Sequence, residues 1–285
     1  MENILQVLLN GLQMGLLYAL MALGFTIIFG MMHVVNFAHG QLLMIGAVVA
    51  FTLTISSGLN YFLALPLTIL IMAIIGFLLD MTMFRRIRTN IMAQIVLSIG
   101  LGLVLVNLAL IFYGLKNQSI GNVFPGTADF LGAHLSFDRI MAMGFAVIFI
   151  LALYWLIKKT RLGRAMRAVQ QNPEAAALQG VSVGWTYGLS WALAAALAGA
   201  AGALMAPIFP VGAAMGYRPM AFAFVTVILG GLGSVPGAVV GALVIGFAES
   251  LISTFAGSQL AWGAIFLLAV IILIVRPQGL FKGYI

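Results

Sequence analysis

The sequence predicts an all-α, polytopic bundle of membrane helices with eight or nine segments, one of them a candidate broken or re-entrant half-helix. Three observations carry this. Hydrophobic residues make up 64% of the 285, charged residues 7%, and mean hydropathy is +1.18, which is more apolar surface than one soluble core can hide. Apolar runs recur along the chain at lengths near the roughly 20 residues that a helix, rising about 1.5 Å per residue, needs to cross a hydrocarbon layer. The 13 lysines and arginines gather in short clusters between those runs, where topology and anionic headgroups account for them. The net charge of +7 is therefore not read as a nucleic-acid surface. One integral domain, 1–285, fills the chain and leaves no room for a further soluble one.

In order, the apolar stretches fall at about 4–30, 40–57, 61–83, 93–113, 140–157, 185–206, 220–232, 236–255 and 262–275, divided by Gly, Pro, Asn or charge. The first lacks a basic leader and a small-residue cleavage site and is longer than a signal-peptide core, so it is read as the first span. The stretch from Met220 to Leu232 is short for a crossing and runs into Gly230-Gly231-Leu232-Gly233-Ser234-Val235-Pro236-Gly237. It is the candidate half-helix, because broken backbone at membrane depth must be buried in protein or line a cavity. Small residues at helical spacing (Gly11 and Gly15; Ala195, Gly199 and Ala203; Gly237 and Gly241) mark faces where helix backbones approach closely. A faint internal echo links Phe25-Thr26-Ile27-Ile28-Phe29-Gly30 to Val225-Thr226-Val227-Ile228-Leu229-Gly230.

Basic clusters set the orientation. Arg85, Arg86 and Arg88, then Lys158 through Arg167, then Arg276 with Lys282 are expected in the cytoplasm. The turn-rich loop from Gly114 to Asp138 belongs on the far side. Nine crossings would leave the N-terminus outside and the C-terminus inside.

Two polar interruptions stand out. Between the first two spans, Asn36, Phe37, His39, Gly40 and Gln41 break apolar sequence where unsatisfied polar groups each cost several kcal/mol, so they are expected to line or support a translocation route. The longest interruption is the loop 158–184. There Asn172 can cap, Pro173 suits the first helical position and Gly180 the left-handed C′ site, so Pro173 to Gln179 reads as a two-turn helix on the cytoplasmic face. Lys158, Lys159, Arg161, Arg164 and Arg167 form a basic collar before it.

The remaining polar residues have plainer readings. Gln94 and Ser98 share a helix face and are expected to bond a neighbouring helix. Asp80 can pair with Arg85 or snorkel, Glu249 belongs near an interface, and His33 and His134 sit at membrane edges. There are no cysteines, and no clustered ligands call for a metal or cofactor. No Gly-x-x-x-x-Gly-Lys-[Ser/Thr] phosphate loop is present, so the chain does not bind ATP that way.

Glu174-Ala175-Ala176-Ala177-Leu178-Gln179-Gly180 resembles the EAA motif of ABC importer permeases, though the Ile-x-Leu-Pro ending of many members is absent. Asn36-Phe37-Ala38-His39-Gly40 resembles the signature of the LivH-like high-affinity branched-chain amino acid permeases, which usually carry Glu where this chain has Gln41. Gly15-Leu16-Leu17-Tyr18-Ala19-Leu20, Gly163-Arg164-Ala165-Met166-Arg167-Ala168 and Leu229 through Ala238 extend the likeness over nearly the whole chain. The resemblance implies a permease subunit of an ATP-binding-cassette importer in a bacterial cytoplasmic (inner) membrane, carrying branched-chain or related amino acids and doing no catalysis. Arg164, Asn172, Pro173, Glu174, Ala175, Ala176 and Gly180 would couple it to separate ATPase subunits. A second permease subunit, identical or related, and an extracytoplasmic solute-binding protein would complete the assembly. Urea and short-chain amide permeases look similar and remain an alternative cargo class. A self-sufficient secondary transporter or channel is the rival mechanism; it would need intramembrane charge for coupling, for which Glu249 is the candidate. A membrane enzyme ranks third, since Asn36, His39 and Glu249 have no nucleophile near them in sequence.

Overall fold

The structure, a computed structural model, describes residues 2–33, 35–114, 118–130, 132–276 and 278–281. Lys282, which entered the charge reading, lies outside the described residues. Among the described residues are eleven α-helices: α1 Glu2–Met32, α2 His39–Phe51, α3 Tyr61–Thr82, α4 Ile91–Tyr113, α5 Phe137–Lys159, α6 Arg161–Gln171, α7 Pro173–Leu178, α8 Val183–Met205, α9 Tyr217–Gly230, α10 Val235–Ala256 and α11 Ser258–Val275. Eight of the helical stretches are long and apolar enough to cross a membrane, with α2 reaching that length through a π-helical turn at Thr52–Ser56. The apolar α9, at 14 residues, is too short. This is the predicted polytopic bundle with its half-helix. One element the turn formers did not announce is an antiparallel strand pair, β1 Thr127–Phe130 and β2 Ala133–Ser136, in the loop between α4 and α5.

Burial separates core helices from boundary helices. The apolar windows of α1 and α8 are 89% and 83% buried, whereas those of α3, α4, α5 and α11 are at most 28% buried, so the first two form the axis and the others face outward. Small residues let the backbones meet. A Cβ on Gly11 would stand 2.7 Å from the Phe247 ring, one on Gly199 would stand 2.5 Å from Met72, and one on Gly241 would stand 2.7 Å from the Thr226 carbonyl. The stripes read from sequence thus join α1 to α10, α8 to α3 and α10 to α9. Trp191, fully buried, tilts against Phe84 at 4.2 Å between ring centroids.

Two helices begin inside the bundle. After α1 ends, the chain folds back, and the His39 Nε2 atom comes within 3.1 Å of the Met21 carbonyl, two-thirds of the way along α1. There α2 starts, against the start of α9: a Cβ on Gly40 would lie 2.5 Å from Met220 Cβ and 2.6 Å from the Gly216 carbonyl. The far end of α9 is closed by the C-terminal segment, whose Leu280 and Phe281 amides donate to the Leu229 and Gly230 carbonyls at 2.8 and 3.1 Å. That recovers two of the carbonyls a helix end leaves unpaired.

The basic clusters share one end of the bundle. Gly184, at the start of α8, neighbours the Arg85 guanidinium, and Gly233, between α9 and α10, neighbours the Gln170 side chain of α6.

Candidate coupling and translocation sites

The loop 158–184 is two helices, not one helix behind a collar. Thr160 ends α5 and caps α6, its hydroxyl accepting the Gly163 amide at 3.2 Å. Gly163, Met166 and Val169 then face the bundle at helical spacing while Arg164 points to solvent. In sequence this face is masked by the basic collar of Arg161, Arg164 and Arg167. Its signal was the apolar period of Leu162, Met166 and Val169, a face that only a helix makes continuous.

Asn172 ends α6 and caps α7. Its Oδ1 accepts the Glu174 and Ala175 amides, each at 3.0 Å, and Pro173 occupies the first turn. After Leu178 the chain turns at Gly180, φ +79°, where the Gly180 and Val181 amides donate to the Ala177 and Ala176 carbonyls at 3.0 Å. The cap, the proline and the left-handed glycine stand where the sequence put them. Ala176 alone is buried; Glu174 and Ala175 face outward, and Leu178 is 87% exposed. Sequence reasoning passed over Leu178, the one large apolar side chain of this short helix. Asn172→Ala is expected to cost about 1 kcal/mol of local helix stability. The check is hydrogen exchange at the Glu174 and Ala175 amides, which should quicken about fivefold.

The five residues of the first break come together as a tight turn. Asn36 Oδ1 accepts the Ala38 amide at 3.0 Å, and the Phe37 amide donates to Ser98 Oγ of α4 at 3.2 Å. Asn36, His39 and Gln41 are buried, with Asn36 Nδ2, His39 Nδ1 and Gln41 Oε1 lacking hydrogen-bond partners among the described residues. Phe37 is 42% exposed. The His39 ring meets Phe25 edge-on at 5.9 Å between centroids. Ser98 thus bonds a neighbouring segment as expected, while Gln94 instead donates to the nearby Arg88 carbonyl at 2.9 Å, which closes the turn before α4.

Two acidic residues form buried ion pairs. Asp80 pairs with Arg88, not Arg85, because the 3-10 turn Phe84–Ile87 carries Arg88 back over the end of α3. Glu249 is buried and ion-paired to Arg218 at the start of α9. Phe222 and Trp262 hold that guanidinium at 5.6 and 5.9 Å from their ring centroids. Sequence reasoning did not single out Arg218. Its signal was a lone arginine opening the short apolar run. A cavity of about 220 Å³ lies beside the pair, at the bundle end opposite the basic clusters. A second, of about 330 Å³, opens at the basic end between His33, Arg88, Gln170, Pro173 and Tyr187.

Residues 7–275 match the family described as Branched-chain amino acid transport system / permease component. The chain belongs to that family. It is similar to the high-affinity branched-chain amino acid transport system permease protein BraD of Pseudomonas aeruginosa, at 32% identity over 97% of this chain and 95% of the relative. A probable branched-chain amino acid transport permease protein LivH of Methanocaldococcus jannaschii is 33% identical over 93% and 88%. The LivH protein of Escherichia coli is 30% identical over 97% and 94%. A solved structure titled PsaBC from Streptococcus pneumoniae in complex with Fab overlays 91% of this chain and 89% of its own at 15% identity and TM-score 0.48, a likeness too distant to bear on the site. The family settles the broad reading: this is a multi-pass transport permease.

Proposed function

We propose that this chain is the translocating subunit of an ATP-driven importer of branched-chain or related amino acids in a bacterial cytoplasmic membrane, built as one integral domain. It would act with a second permease subunit, separate ATPase subunits and an extracytoplasmic solute-binding protein. The observation that carries the coupling is α7: a helix of 6 residues, too short to persist alone in water, yet capped at both ends and turning Leu178 away from the bundle. Such a helix suits the groove of a partner. The small outward Ala175 and Ala177 let that groove close. Movement imposed on α7 would pass through Asn172 to α6, which packs on the end of α1 and the α9–α10 turn, and so to the axis of the bundle. The turn at Asn36 to Gln41 would hold the starts of α2 and α9 together as the two sides open alternately.

Two measurements test this. Reconstituted with its ATPase and binding protein, the chain should take up leucine, isoleucine or valine only with ATP; uptake of none of the three overturns the cargo reading. In this cysteine-free chain, Ala175→Cys should react with an impermeant maleimide only in inside-out vesicles, and Ser119→Cys only in intact cells. The reverse pattern would invert the topology and detach the helix from any cytoplasmic ATPase.

A further inference from the structure

The cavity at the end opposite the basic clusters is lined by Asn10, Gln13, Arg139, Arg218, Glu249 and Ser253, with Met14 and Phe209 as apolar walls. At about 220 Å³ it exceeds by far the roughly 15 Å³ that admits one water. Its polar groups are not fully used by the protein. The Glu249 side chain is 4% exposed and the Arg218 side chain 39%. Arg218 Nε and Gln13 Nε2 have no hydrogen-bond partners among the described residues. Arg139 donates to Asn10 Oδ1 at 2.8 Å, which brings a second guanidinium to the rim.

A structural ion pair in a membrane protein is expected to satisfy its lone pairs and protons, because burial of each charge is costly and is offset only by complete hydrogen bonding. This one leaves Arg218 Nε and Gln13 Nε2 without partners beside an open cavity, with the Tyr18 hydroxyl against the Glu249 carboxylate. Charges of both signs with neutral amides between them match a small molecule that itself carries both signs. Resting on the amino-acid permease reading, we propose that this cavity is a zwitterion subsite on the extracytoplasmic side: Arg218 takes the α-carboxylate, Glu249 takes the α-ammonium, and Met14 and Phe209 face the side chain. The Arg218–Glu249 pair closes the empty site, and the amino acid exchanges both partners at once, so that neither charge is left bare. A neutral amide would have to break the pair without replacing it.

The test uses the absence of cysteine in this chain. Ser253→Cys puts a thiol on the cavity wall, half-buried, in the complete transporter in proteoliposomes, with modification by an impermeant methanethiosulfonate read by mass. Leucine in the millimolar range should slow modification about tenfold, while leucinamide, which lacks the carboxylate, and 4-methylpentanoate, which lacks the ammonium, should not. Arg218→Gln combined with Glu249→Gln, which removes both charges together and keeps the groups polar, should lose the protection and lower leucine uptake about tenfold. The charge-swapped pair, Arg218→Glu with Glu249→Arg, restores the ion pair but reverses its polarity and should assemble without recovering uptake. Leucine uptake without protection, equal protection by all three compounds, or full uptake by either double variant overturns the subsite and leaves the permease reading standing. Neither uptake nor protection by any amino acid overturns both.

Discussion

Gly180→Val is expected to lower ATP-driven uptake tenfold or more and to lower stimulated ATP hydrolysis in step, while the binding protein still loads its amino acid. The backbone at Gly180 is left-handed, φ +79°, and nothing stands within 4 Å of where a Cβ would be. The effect of valine is therefore conformational, without a clash: a β-branched residue disfavours that turn by about 1–2 kcal/mol. The amides of Gly180 and Val181, which close α7 on the Ala177 and Ala176 carbonyls, would lose their geometry, and α7 would leave the line set by Asn172. Glu174→Arg should have a similar effect by another route. It places a cation beside the positive end of the helix and a basic residue on the outward face, without touching the bundle. Both variants should reach the membrane in normal amount, since Glu174 is exposed. Unchanged ATPase assembly and stimulation in both variants would make α7 an ordinary connector.

The spans were legible because apolar length is written in composition, and α7 because its cap, proline and glycine are local signals within a few residues. What stayed hidden needed tertiary position. Arg218 and Glu249 are 31 residues apart and meet only because α9 is a half-helix whose start lies beside the outer part of α10, so no helical period links them. Which arginine reaches Asp80 depended on the 3-10 turn Phe84–Ile87 that precedes Arg88, and composition does not encode it. The starts of α2 and α9 were each visible as breaks at Asn36 to Gln41 and before Met220. That they abut, Gly40 on Gly216, follows from tertiary packing, α2 lying against α8 while α9 lies against α10 and α1. Helix α6 carries its apolar face, Gly163, Met166 and Val169, beneath a denser run of charges, which masks the period.

His39→Ala is expected to destabilise the subunit by about 3 kcal/mol, as deletion of a fully buried ring leaves a cavity in addition to the lost transfer energy, and to cut uptake per assembled complex tenfold or more. The ring is wholly buried, bonded to the Met21 carbonyl and packed edge-on against Phe25. It sits where α2 begins, against α1 and next to the Gly40–Gly216 contact. Asn36→Ala removes the acceptor of the Ala38 amide and should cost about 1–2 kcal/mol, since it leaves a buried donor without its partner. Phe37→Ala provides the control for general damage. Its ring is exposed, so stability should change by less than about 0.5 kcal/mol, although the same turn carries it. Thermal unfolding of the purified subunit gives the stability order His39, Asn36, Phe37. Uptake normalised to assembled complex then separates a structural brace from a turn that governs passage. A brace alone would let Asn36→Ala and His39→Ala transport at the wild-type rate wherever they assemble, and that result would remove the turn from the translocation route. A loss in both, larger than the loss of assembled protein, would place the junction of α2 and α9 among the moving parts.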